Sequence, residues 1–397
     1  MIALLTRHLF KVPRKYHGAQ MNRRSLLASL AGTGIAAASG GHLLFGKSLS
    51  TDLPSAATKH IPRYRGFNLQ WERQPGETTK PAFQESDFAM MHEWGFNFAR
   101  LPLSYWIWGK PTDWTYINDA PLQQIDRAID LGRQYGIHVN LNFHRIPGYC
   151  INGRELEPAD LFTGRKGEGP RALKAACFHW AHFARRYKGV PNTELSFDLI
   201  NEPPKMRSYE GLFEERYVEV ARALVDAIRA EDAGRLIFAD GINIGQSPVL
   251  ELAGLGLVQS TRGYQPKAIS HHGATWVPLD EYESMNVPTW PLTDDKGQIW
   301  NRAKLKKEYV ESWKPLTDRG VQVHVGEWGC FNQTPHEVAL AWMSDCLAVW
   351  REAGWGNALW NLRGSFGILD SERKDVAYED FKGHKLDREM LELLRAA

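Results

Sequence analysis

The chain has 397 residues, 43% hydrophobic and 24% charged, with 15 Trp and a formal net charge of +2. That apolar fraction fills a sizeable core and excludes a disordered chain or a fibrous repeat. The length fits one α/β barrel with long loops better than two large domains. The charge is unevenly placed. Residues 1–60 hold eight Lys or Arg and one acid, Asp52, whereas the rest carries 40 bases against 45 acids. The folded body therefore lacks the basic stripe a nucleic-acid partner requires. Cys150, Cys177, Cys330 and Cys346 are too few and too scattered for a disulfide scaffold, and no CxxC pair suggests zinc. They are read as free thiols, with one disulfide left open in an oxidising compartment.

At the N-terminus, Arg23-Arg24 precede Ser25-Leu26-Leu27, and a small-residue, apolar stretch runs to about Phe45. A basic segment followed by a short apolar one has the order of an export signal, and this one is too weakly apolar for a stable membrane span. The Arg pair with Leu26 and Leu27 resembles a bacterial twin-arginine signal. Residues 1–58 are therefore predicted to be an export signal and linker, with Met1 or Met21 as the start. The expected destination is periplasmic or extracellular, with no stable membrane partner expected once the signal is removed. Residues 59–397 are predicted to form a single domain.

From Tyr64 onward, short apolar runs alternate with amphipathic helices, which argues for βα units and a parallel sheet. The predicted strands are Arg65–Leu69, Asn97–Leu101, Ile137–Phe143, Leu195–Ile200, Arg235–Ala239, Leu257–Ser260, Val321–Gly326 and Asn357–Asn361. Leu122, Ile125 and Ile129 share one helical face, as do Phe213, Tyr217, Val220, Leu224 and Ile228, and later Val338, Ala341, Trp342 and Cys346. Gly136 and Gly320 each stand just before a strand, where a helix C-cap belongs. Eight strands with intervening helices predict an α/β fold, a (β/α)₈ TIM barrel, with an open doubly wound sheet as the competitor. No GxGxxG or GxxxxGK[ST] motif follows a strand, which weakens a nucleotide-binding reading. Two segments break the rhythm, the polar Gly148–Gly169 and the Trp- and Pro-rich Gly273–Arg302. Both follow strand C-termini, where barrel enzymes build their sites.

Two carboxylates stand out by position. Leu195-Ser-Phe-Asp-Leu-Ile-Asn-Glu-Pro203 is an apolar strand ending in Asn201, Glu202 and a helix-blocking Pro203; Val321-Gln-Val-His-Val-Gly-Glu-Trp-Gly329 likewise ends in Glu327. In a barrel both project into the same mouth. A glycosidic bond has a poor leaving group and an oxocarbenium-like transition state. Its cleavage needs one protonated carboxyl to donate to the leaving oxygen and one ionised carboxylate at the anomeric carbon. Asp198 lies in phase with Glu202, so it is expected to face the barrel interior in a structural role.

With Asn201-Glu202-Pro203 after strand four and Gly326-Glu327-Trp328 after strand seven, the sequence resembles glycoside hydrolase family 5, the cellulase-like family, from about Arg65 to Leu394. The resemblance implies a retaining barrel enzyme with Glu202 as acid/base and Glu327 as nucleophile. It implies that Arg100, in Ala99-Arg100-Leu101-Pro102, bonds the nucleophile. His144 would bind a sugar hydroxyl or support Arg100, Asn201 would bond the sugar 2-hydroxyl, Tyr264 would bond the nucleophile, and Trp360 would form a sugar platform. Arg262 stands where the family commonly has His, a departure that leaves the hydroxyl contact of that His unassigned. His271 and His272 are further candidates to line the cleft, and Trp276, Trp290 and Trp328 are each open between sugar contact and core. No metal and no organic cofactor is implied.

The expected activity is hydrolysis of a β-linked polysaccharide, with β-1,4-glucan first on family frequency. β-Mannan, xyloglucan and small β-glucosides share the site plan. The competing class is a carbohydrate-binding barrel without turnover.

Overall fold

The computed structural model describes residues 60–71, 82–162, 169–204, 214–277 and 286–397. The predicted export signal lies outside them, as do Phe213 and parts of both long loops, residues 163–168 and 278–285.

Eight parallel strands close into a barrel in simple sequence order. They are β1 (Arg65–Asn68), β2 (Phe98–Ser104), β3 (His138–Arg145), β4 (Leu195–Asp198), β5 (Ile237–Asp240), β6 (Val258–Gly263), β7 (Val323–Trp328) and β8 (Gly356–Leu359). β8 pairs with β1, with Arg65 opposite Asn357. The helices between them are α1 (Glu85–Glu93), α2 (Leu122–Tyr135), α3 (Gly169–Arg186), α4 (Glu214–Glu231), α5 (Arg302–Tyr309) and α6 (His336–Glu352), with α7 (Arg388–Arg395) after β8. The barrel prediction holds and the open sheet is excluded.

The helical faces follow the apolar period. α2 buries Leu122, Ile125 and Ile129 and ends at Gly136 in a left-handed cap, φ 66°. α4 buries Tyr217, Val220, Leu224 and Ile228. On α6 one member of the predicted stripe is wrong: Ala341 is exposed, and Ala339 and Met343 complete the buried face with Val338, Trp342 and Cys346. An alanine carries too little apolar area to decide its own orientation beside Trp342 and Met343. Between β5 and β6 the expected helix is a 3₁₀ turn, Leu250–Leu255. Gly241, Gly245, Pro248, Gly254 and Gly256 all fall in that link, and their poor helix propensity leaves no uninterrupted run for an α-helix.

β2 continues three residues beyond its predicted end, through Pro102 to Ser104. The carbonyl of Arg100 faces β1, accepting from the Leu69 backbone N–H at 2.9 Å. Pro102, two residues on, faces the same way, past the end of β1, so its missing N–H interrupts no ladder. All four cysteines are free thiols. Among the described residues no helix is long and apolar enough to cross a membrane.

The barrel interior is layered. Its lower layer is mainly aromatic, with Tyr64, Phe98, Phe238, Val258 and Ala358 buried together and the rings of His138 and His324 packed against Phe98. One inward step along the strands, the residues become Arg100, Asp198, Asp240 and Ser260, all buried. Period-two alternation keeps these side chains inside, and the change of chemistry marks the floor of the site.

Candidate active site

Arg100 organises that floor. Its Nε donates to Asp198 Oδ2 at 2.8 Å, Nη1 to Asn68 Oδ1 at 3.0 Å and to Glu327 Oε1 at 2.6 Å, and Nη2 to Asn201 Oδ1 at 2.9 Å. Asp198 is therefore interior and paired, as its phase suggests. Burial, then the neighbouring Asp240, push its carboxyl up to about 6, against the pull of Arg100. His144 takes none of the Arg100 donors, so the suggestion that it supports Arg100 is not realised. It stacks instead on Trp360, with ring centroids 5.7 Å apart and planes at 20°. Burial lowers its pKa to about 4, which makes it a neutral imidazole.

Glu327 reaches the interior through a bulge. Strict alternation after inward-facing His324 would send Glu327 outward with Val325. The β6 pairing instead steps from Thr261 opposite Val325 to Arg262 opposite Glu327, and β8 shows the same shift between Asn357 and Leu359. Gly326 is the extra residue, and a bulge re-aims the side chains after it. Glu327 turns in to Arg100, while Trp328 turns out to pack edge-on against Trp350 at 4.9 Å. Trp328 is thus core, with its indole N–H on Asn357 Oδ1 at 3.0 Å.

Glu202 is placed by backbone rather than by period. Its φ is 49°, a left-handed value uncommon for a residue with a Cβ. Its N–H donates to Asp240 Oδ2 at 2.8 Å and its carbonyl accepts from Tyr149 Oη at 2.6 Å. These bonds hold the strained turn, a conformation that persists where surroundings over-determine it. Tyr149 comes from the loop after β3, which buried Glu157 pins through Tyr105 Oη at 2.8 Å and Arg145 Nη1 at 2.8 Å.

The two carboxylates meet on Arg262. Its Nε lies 3.3 Å from Glu202 Oε1 and its Nη2 3.3 Å from Glu327 Oε1. Burial, then the charge of Glu327, push Glu202 up to about 8. Burial also opposes ionisation of Glu327, but Arg262 and Arg100 outweigh it and hold this carboxyl below its usual range. Tyr264 Oη donates to Glu327 Oε2 at 3.4 Å, and burial followed by Glu327 raises its pKa well above the ordinary phenol value. Asn201 Oδ1 accepts from both Arg100 and Arg262, each at 2.9 Å. Two donors fix the oxygen on that side, and its amide nitrogen has no partner among the described residues.

At the rim, His271 packs edge-on against Tyr264 at 5.0 Å and Phe366 at 5.7 Å, with Nδ1 on Ser270 Oγ at 2.7 Å. Trp276 is 57% exposed and stands edge-on to Phe331 at 4.8 Å, so it is free to meet a ligand. Trp290 donates to Asp345 Oδ2 on α6 at 2.9 Å, a structural contact. Among the described residues no three His, Cys, Asp or Glu are grouped to hold a metal. Sequence reading missed Asp240, Asn68 and Tyr149. Asp240 had a signal: like Glu202 and Glu327 it ends an apolar barrel strand.

The cellulase model, glycosyl hydrolase family 5, matches residues 55–365. A solved structure described as a glycoside hydrolase is 39% identical, with TM-score 0.78, and the match covers 84% of this chain and 99% of that one. Endoglucanase C of Acetivibrio thermocellus is 25% identical over 341 residues, 79% of this chain and 95% of the relative. Cel5A of Thermotoga maritima shares the fold at 21% identity, with TM-score 0.65 in its cellobiose complex (84% of this chain, 96% of that one) and 0.62 with mannotriose (85% and 98%). With a family match over most of its length and the barrel to go with it, the chain belongs to glycosyl hydrolase family 5 and is a glycoside hydrolase.

Proposed function

We propose that the protein hydrolyses β-1,4-glucan with retention of anomeric configuration, Glu202 acting as acid/base and Glu327 as nucleophile. The observation that carries this reading is geometric: the carboxyls of Glu202 and Glu327 each lie 3.3 Å from one guanidinium, that of Arg262, in surroundings that push the first up and hold the second down. Retaining enzymes hold the pair about 5–5.5 Å apart, with no room for a water between nucleophile and sugar. A single guanidinium reaching both is consistent with that scale.

In the first half-reaction Glu327 attacks the anomeric carbon, the glycosidic C–O bond breaks, and the Glu202 proton passes to the leaving oxygen. In the second, Glu202 takes a proton from water, and the water oxygen displaces Glu327. The uncommitted amide nitrogen of Asn201 supports its role toward the sugar 2-hydroxyl. Trp360, half-buried and braced by His144, offers an indole face for the apolar side of a pyranose.

The pH dependence follows from the two shifts. Turnover needs Glu202 protonated, so kcat/KM falls as pH rises through about 8. It also needs Glu327 ionised, so the acid limb lies below the ordinary carboxylate range. A kcat/KM profile on a soluble β-glucan measures both limbs, and a basic limb in the range of a free carboxylate would overturn the assignment of Glu202.

The glucan preference draws on the endoglucanase relatives. A mannotriose-bound neighbour favours β-mannan as the second reading. Reducing-end release from cellulose, mixed-linkage glucan, xyloglucan and mannan, measured beside polysaccharide pull-down, separates these. Binding without release would leave only the non-catalytic barrel. The same proposal places the mature enzyme outside the cytoplasm, through Arg23-Arg24. Replacing both by Lys should hold a fused reporter inside the cell, whereas export at an unchanged level would sink the twin-arginine route.

A further inference from the structure

Arg262 stands where the family commonly has His, and the structure builds a socket around it. Nη1 donates to Asp240 Oδ1 at 3.0 Å and to Ser260 Oγ at 3.2 Å, and Nη2 donates to Asp240 Oδ2 and to Asn201 Oδ1. The side chain is 1% exposed. Two glycines make room for it. A Cβ on Gly245, whose φ is 69°, would lie 2.7 Å from Arg262 Cγ, and one on Gly326 would lie 2.9 Å from Arg262 Nη1. A fork held by a bidentate carboxylate is rigid, so this guanidinium is fixed in place.

Beyond these and a bond from Nη1 to the Thr261 carbonyl at 3.3 Å, it faces the two carboxylates, Glu202 through Nε and Glu327 through Nη2. Arg100 serves Glu327 directly but makes no ion pair with Glu202. Among the described residues Arg262 is the one cation within ion-pair distance of Glu202.

We propose that Arg262, clamped by Asp240, is a positioning residue that acts as the shared counter-ion of Glu202 and Glu327 through both half-reactions. The inference rests on the acid/base and nucleophile reading above. At the start the negative charge is on Glu327 and Glu202 is neutral. When the C–O bond to Glu327 forms, Glu327 becomes a neutral ester, and Glu202, having given its proton to the leaving oxygen, becomes the carboxylate. Hydrolysis reverses both changes. One negative charge faces Arg262 throughout, and it moves from one side of the guanidinium to the other. Stabilisation by a pre-set charge needs no reorganisation as charge moves. Asp240 neutralises most of Arg262, which lets Glu202 remain protonated beside a cation.

Around Arg262, Glu202 and Glu327 the charged and titratable groups are Asp198 from β4, Asp240 from β5 and Arg100 from β2, with Tyr264 after β6 donating to Glu327 and neutral His144 facing it from β3. Removing Arg262 takes a cation from both carboxyls, so both limbs of the kcat/KM profile move alkaline. Removing the Asp240 charge leaves Arg262 uncompensated, so the basic limb moves acid.

The test is the pH profile of the full chain acting on an aryl β-cellobioside. R262Q is expected to shift both limbs up by about one pH unit, and D240N to shift the basic limb down by a similar amount, the scale of one close charge. R262K keeps the charge and loses the fork, so its limbs stay near wild type while kcat falls. A packing role predicts lower kcat with unmoved limbs in R262Q and D240N, and that result overturns the proposal. Should R262Q fail to fold, the isosteric D240N decides alone. Full turnover by E327A would instead defeat the underlying site reading, whatever the limbs do.

Discussion

Replacing Glu327 by Ala is expected to lower kcat on any β-glucan by roughly 10⁴–10⁶, the scale on which hydrolases lose activity with their covalent nucleophile. At about 1.4 kcal/mol per decade, this is the largest effect any single substitution in the molecule should have. The fold should survive it. Arg100 keeps Asp198 and Arg262 keeps Asp240, so neither cation is left buried and unpaired, the condition that makes a broken buried pair strongly destabilising. The truncated side chain leaves a gap bounded by those two guanidinium groups and Tyr264 Oη, a setting that attracts a small anion. Azide should therefore restore turnover of an aryl β-glycoside, and the product should be the α-glycosyl azide, because the anion attacks from the side Glu327 occupied. Hydrolysis near the wild-type rate without azide would remove Glu327 from the chemistry.

The strand count and the two strand-end acids were legible because each is written in a local pattern: an apolar run, then a carboxylate, then a breaker. The direction of each acid was not. Alternation alone points Glu327 out of the barrel. Only the bulge at Gly326 turns it in, and a lone Gly before the acid is a weak sign of one. Glu202 likewise owes its place to a left-handed backbone held by Asp240 and Tyr149, residues 38 and 53 positions away along the chain. Such long-range bonds leave no period to read. Asp240 shows a reading that was available. A buried Arg requires a partner, and Phe238-Ala239-Asp240 offers an acid at the end of the neighbouring strand. The missing helix after β5 is also written in the sequence, in the five Gly and Pro residues of that link. The exposed face of Ala341, by contrast, is decided by larger neighbours, so no local rule reports it.

Replacing Glu202 by Ala should produce a different signature from the same site. On a polysaccharide, whose leaving oxygen needs its proton, kcat is expected to fall by roughly 10²–10⁴, the usual contribution of a positioned general acid. On a dinitrophenyl β-cellobioside, whose leaving group departs without help, the first half-reaction should persist and the glycosyl-enzyme should accumulate. A burst of phenolate followed by a slow steady state is the expected trace. The backbone at position 202 should stay put, since its anchors on Asp240 and Tyr149 use main-chain atoms. Azide should now attack the glycosyl-enzyme from the face that Glu202 guarded and give the β-glycosyl azide. The basic limb expected near 8 from Glu202 should vanish from the profile. Opposite azide anomers from the two variants require two carboxyls on opposite faces of one anomeric carbon. The same anomer from both would mean that the residues do not flank a common bond, and a chemistry built on their meeting across Arg262 would have to be abandoned.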